Sequence, residues 1–159
     1  LRIMQVNRGR VGDPEAKRRL LESLQRKQLV VNYAGHGSVN QWRGNLLTNA
    51  EALALSNEHL PVFVMMTCLN GYFDDPLLDS LAESLLKAER GGAVAAWGST
   101  GMTRPGEQAA MNQALYQLLF NPAQALRLGE AVRRAKAAVN DADIRRTWVL
   151  LGDPALQLR

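Results

Sequence analysis

Two residues in this chain have side chains suited to acyl transfer: a histidine, His36, and the only cysteine, Cys68. Cys68 directly follows the apolar run Val62-Phe-Val-Met-Met-Thr67, and His36 follows the similar run Leu29-Val-Val-Asn-Tyr-Ala34. A thiolate is a strong nucleophile, and an imidazole exchanges protons near neutral pH, so the pair can cleave an acyl bond through a thioester. The chemistry requires that residues remote along the chain open onto one crevice. His36 lies within Gly35-His36-Gly37-Ser38, where glycine lets a substrate approach the backbone and leaves the Gly37 N–H available. Asn70-Gly71 behind Cys68 would let the chain turn sharply.

The elements that must position this pair read as alternating strands and helices. Short apolar runs bounded by Gly or Pro indicate buried strands of a parallel sheet, in which chemistry sits at the carboxyl ends. Neighbouring strands lie about 4.8 Å apart, so adjacency of 29–34 and 62–67 would bring both loops together. Asp13-Pro14-Glu15 signals a helix start, followed by Ala16, Leu20, Leu21 and Leu24 on one face. A short helix is expected at 50–55. Asp75-Pro76 repeats the start signal ahead of a stripe from Leu77 to Leu86, stopped by Gly91-Gly92. A third strand, 93–97, leads into Gly98-Ser99-Thr100-Gly101. Helices are expected at 107–120 and 129–140, then a strand at 148–151, a turn at Gly152-Asp153-Pro154 and a last strand at 155–158. The fold class is α/β: an open, mostly parallel sheet with helices on both faces. All 159 residues form one domain.

Composition narrows the alternatives. With 47% hydrophobic and 21% charged residues, the chain has the balance of an ordinary globular protein. No apolar stretch reaches the ~18 residues that a membrane-spanning helix needs. One cysteine excludes an internal disulfide framework and a cysteine-based zinc site. The net charge of +4 is uneven, with eight basic and three acidic side chains in residues 1–28 and six against three in 127–146. These basic residues sit at helical spacing beside apolar ones and lack stacking aromatics, so a nucleic-acid partner is not expected. No metal or other cofactor is implied, and no Asp-rich loop predicts calcium.

Other candidates have quieter readings. Ser38, Ser99 and Thr100 lie near strand ends, but there is no Gly-x-Ser-x-Gly elbow. Trp42 would either line a substrate cleft or pack its loop. Trp97 and Trp148 read as core, His59 as a surface residue, and Asp153 as bonded to its own turn. Asp75 serves better as a helix cap than as a metal ligand.

The series Asn32-Tyr-Ala-Gly-His-Gly-Ser38, Trp42 and Thr67-Cys-Leu-Asn-Gly71 resembles the catalytic core of the gingipain-type cysteine peptidases. The likeness continues through Leu81-Ala-Glu-Ser-Leu85, Gly92–Thr100, Met111-Asn112, Thr147-Trp148 and Leu151-Gly-Asp-Pro-Ala155. It implies the caspase-like fold and a cysteine endopeptidase acting on protein or peptide substrates. His36 and Cys68 would be the catalytic pair, Gly37 and Cys68 the oxyanion donors, and Trp42, Ser99 and Thr100 the substrate-binding residues. It also implies a secreted or cell-envelope location. Arginine-specific relatives wall their pocket with a tryptophan after the Ser-Thr segment, where this chain reads Gly101-Met-Thr-Arg-Pro105; a preference for Arg or Lys is not expected. The alternatives are a non-catalytic caspase-like binding module and a caspase-like peptidase of intracellular type. The chain is expected to be a catalytic-domain fragment lacking N-terminal strands, with Leu1–Val6 as a strand before the first helix, an open edge beside strand 29–34, and little activity on its own.

Overall fold

Residues 62–66 and 95–99 are buried on both faces along their whole length, as befits strands at the centre of a sheet. The computed structural model describes residues 2–158. Strands β1 (Val30–Ala34), β4 (Val62–Met66), β5 (Ala95–Ser99) and β6 (Trp148–Gly152) form one sheet in the order β1-β4-β5-β6. The first three run parallel, and β6 is antiparallel to β5. A second, two-stranded ribbon pairs β2 (Gly37–Ser38) with β3 (Gln41–Trp42). The expected α/β class with a mostly parallel sheet is the observed one.

Alternation along the strands sends successive side chains to opposite faces. Phe63, Met65 and Ala96 face a core closed by helices α1 (Asp13–Leu24), α2 (Asn49–Leu53) and α3 (Leu81–Lys87). Val62, Val64, Met66, Ala95 and Trp97 face a second core, under α4 (Pro105–Leu119), α5 (Leu128–Lys136) and α6 (Ala142–Thr147). Helices therefore cover both faces. Among the described residues, no helix is long and apolar enough to cross a membrane.

Several boundaries depart from the sequence reading, each for a local reason. The helix expected from Asp75-Pro76 starts instead at Leu81. Ser80 and Glu83 form a reciprocal capping box there, which satisfies two N-terminal donors. Asp75 caps only a turn, its Oδ1 accepting from the N–H groups of Leu77 and Leu78 at 2.8 and 3.0 Å, and Leu77 stays 95% exposed. Asp13 does not cap α1, because its carboxylate is held by Arg8 (Nε–Oδ1 2.7 Å) and Gly12 takes the cap position. The strand expected at 1–6 does not form over residues 2–6, which run without a ladder partner; Leu1 lies outside the described residues. The strand expected at 155–158 is a turn, since Pro154 and Leu156 turn their carbonyls to Gly129 and Leu128 at the start of α5. Helix α6, absent from the sequence reading, is capped by Asp141.

The second core is anchored by Trp97, fully buried, with its ring centroid 5.0 Å from that of Trp148. Trp97→Ala removes this contact and leaves a cavity that rigid strands cannot close. The expected loss is about 3–5 kcal/mol of unfolding free energy in a urea titration.

Candidate active site

The sheet register sets the site. Val30 to Ala34 of β1 lie opposite Val62 to Met66 of β4, so both strands end at the same level. The Gly35 N–H donates to the Met66 carbonyl at 3.2 Å and carries the pairing one residue further. His36 follows Ala34 by two positions, and Cys68 follows Met66 by two. Both loops thus leave the same rim of the sheet from adjacent strands.

The His36 loop is held from below. The His36 carbonyl accepts from the Arg43 N–H at 2.9 Å and from the Tyr33 hydroxyl at 2.8 Å. The Tyr33 ring stacks on Trp42 with centroids 4.1 Å apart and planes at 7°. Burial raises the Tyr33 phenol above its ordinary range, so it remains a donor. The His36 side chain itself is exposed. Because Arg43 N–H bonds to His36 O, Gly37 and Trp42 form a non-hydrogen-bonded pair, and the Gly37 N–H points off the outer side of the ribbon.

Asn70 joins the two loops. It is fully buried, and its Nδ2 donates to the carbonyls of Ser38 (2.6 Å) and Gln41 (3.4 Å). The start of α3 adds two links: Leu81 N–H donates to Val39 O at 2.8 Å and Ala82 N–H to Asn70 O at 3.0 Å. These are the donors that a helix N-terminus leaves without intrahelical partners.

Cys68 is half-buried. The Thr103 N–H points at its sulfur from 3.4 Å, and the Thr103 carbonyl lies 3.7 Å from it. Leu69 has φ 62°, a left-handed conformation costing about 1 kcal/mol for a residue with a Cβ. It lets the backbone turn immediately after Cys68 while Leu69 N–H reaches Gly101 O at 3.3 Å and Gly71 N–H reaches Ser99 O at 2.9 Å. The loop after β5 therefore forms the third wall.

The sequence-expected site residues are distributed as follows. His36, Gly37 and Cys68 share the rim. Trp42 is only 1% exposed and packs beneath the His36 loop, so it has no surface for a substrate to touch. Ser99 is buried and bonds Gly101 O at 3.0 Å and Thr147 Oγ1 at 3.2 Å, while Thr100 Oγ1 donates to Thr147 O at 3.0 Å. Both hydroxyls hold the end of β5 against Thr147. A cavity of about 1100 Å³ runs along the open edge of β1; His36 is on its wall and Cys68 is not. Tyr33, Asn70 and Thr103 were missed as site residues. The motif Thr67-Cys-Leu-Asn-Gly71 contains Asn70, but its reach to Ser38 needs the fold.

Gly37 fits where a methyl group would not. A Cβ there would sit 2.6 Å from Thr67 Oγ1 and 3.1 Å from Asn70 Oδ1, both buried. Gly37→Ala is expected to push the two loops apart and lower unfolding free energy by about 1–3 kcal/mol in a urea titration.

Comparison with known proteins follows the same outline. The model of peptidase family C25 matches residues 3–159. No curated protein sequence matches the chain significantly. Among solved structures, the Arg-specific cysteine proteinase gingipain R (RgpB) superposes with TM-score 0.81 at 23% identity, over 90% of this chain and 36% of that one. The complex of Porphyromonas gingivalis RgpB pro- and mature domains gives 0.80 at 22% identity, over 90% and 37%. A structure described only as a protease gives 0.75 at 18% identity, over 86% and 37%. The chain thus spans little more than a third of the length of these matched chains, and at such identities the likeness shows the shared caspase-like fold. From the match along nearly its whole length, the chain belongs to peptidase family C25.

Proposed function

We propose that the chain carries the catalytic pair of a cysteine endopeptidase, with Cys68 as nucleophile and His36 as general acid and base. The observation that carries this reading is the in-register pairing of β1 with β4, which launches both loops from one rim two residues before each side chain. Membership of a peptidase family and the exposure of His36 support it.

The Cys68 thiolate attacks the carbonyl carbon of a peptide bond. The negative charge moves to the carbonyl oxygen, where the N–H groups of Gly37 and Cys68 receive it. Such donors contribute about 3 kcal/mol each to the transition state. The C–N bond then breaks as His36, protonated, gives its proton to the departing amine. Water, deprotonated by the now neutral His36, attacks the thioester and releases the acid and the thiolate. The Thr103 N–H aimed at the sulfur is placed to hydrogen-bond it during attack. Trp42 supports the His36 loop from beneath, and Ser99 and Thr100 fix the segment that carries Thr103. In that segment Met102 is 73% exposed, and no residue from Gly101 to Pro105 is acidic. We infer protein or peptide substrates, without selection for Arg or Lys before the scissile bond, and a secreted or cell-envelope setting.

In the full-length protein, Cys68→Ala is expected to lower kcat/KM on a pool of fluorogenic peptides by about 10³-fold or more, and His36→Ala comparably. A thiol alkylator should label wild-type protein at Cys68 and stop turnover. Unchanged turnover in Cys68→Ala would overturn the assignment, and no turnover by the wild-type protein would leave a binding module as the reading.

A further inference from the structure

The far edge of the sheet carries a second concave surface. A cavity of about 640 Å³ lies between α5, α6 and β6, and its lining includes Arg133, Lys136, Arg145 and Arg146 without a single carboxylate. Its floor is apolar, formed by Val132, Trp148, Leu150 and Pro154.

Basic residues in the last turns of α5 and α6 suit the negative ends of those helices, and that alone would account for their type. Their pairing is uneven, however. Arg133 is bound to Glu130 and Arg146 to Asp143, whereas Lys136 and Arg145 have no carboxylate partner among the described residues. Lys136 is partly buried, and burial lowers its ammonium below the ordinary range. Its Nζ donates to the Trp148 carbonyl at 2.7 Å, which leaves two further N–H donors.

The edge of β6 is presented to the same cavity. Thr100 N–H donates to Thr147 O at 2.7 Å, and alternation from that bond pairs Val149 and Leu151 with β5. The backbone groups of Trp148, Leu150 and Gly152 therefore point away from the sheet, and these three residues line the cavity. The Lys136 bond to Trp148 O lies on this outward side. Among the described residues, nothing bonds to the Leu150 N–H or C=O there.

An unpaired strand edge accepts an extended backbone, and flanking side chains then select its sequence. We propose that β6 and the basic cavity beside it form a docking site for an extended acidic peptide segment of a partner protein. The peptide backbone pairs with Leu150, its carboxylates meet Lys136, Arg145 and Arg146, and its apolar side chains rest on Leu150 and Pro154. The site lies at the edge of the sheet opposite β1.

The test uses full-length Cys68→Ala protein, to prevent cleavage, and a fluorescein-labelled peptide alternating Val and Glu, followed by fluorescence anisotropy. Binding is expected to weaken at high salt. Joint Arg145→Glu and Arg146→Glu should weaken it by about tenfold or more, as should N-methylation of the peptide at alternate positions. In the active protein, the joint variant should leave hydrolysis of a small peptide unchanged. A peptide with Gln in place of Glu binding equally well would overturn the proposal. So would indifference to N-methylation, or full displacement by inorganic phosphate, which would reveal anion attraction alone.

Discussion

The buried carboxamide of Asn70 is the contact on which the rim of this molecule depends. Parallel strands in register deliver two loops to one place, but strands alone leave their loops free to diverge. Asn70 belongs to the Cys68 loop and spends its donors on carbonyls of the His36 loop, at Ser38 and Gln41. The start of α3 repeats the link with one N–H to Val39 and another to Asn70 itself. Buried donors and acceptors of this kind are costly to leave unpaired, so each bond favours the closed arrangement of both loops over any alternative.

The architecture was legible where physics is local. Short, mostly apolar runs announced β1, β4 and β5, and the glycine-flanked histidine and the cysteine marked where β1 and β4 end. The α1 face of Ala16, Leu20 and Leu24 is the face that packs. Boundaries failed where two signals competed. Asp75-Pro76 and Ser80 with Glu83 are both helix starts, and the reciprocal cap at Ser80 prevailed because it satisfies donors at both ends of the box. Leucines at 77 and 78 fit the helical period yet lie before the helix begins.

The candidate site was legible only in its exposed chemistry. His36 and Cys68 follow from residue type and position. Asn70, Tyr33 and Thr103 do not, because each acts on a partner placed by tertiary contact: Tyr33 through the carbonyl of His36, and Thr103 through the sulfur. Trp42 shows the converse. Its type suits a cleft wall, but stacking on Tyr33 is satisfied only in the interior. The antiparallel direction of β6 was likewise invisible in its composition.

Gly71 has a further consequence. A side chain there would collide with the backbone of Gly98, at 3.1 Å, and with Val149 of the neighbouring strand. The loop behind Cys68 therefore rests directly on the main chain of Gly98, with the Val149 side chain beside it. The segment that carries Cys68 is seated on β5 without a cushion, and where that strand lies decides where the thiol lies.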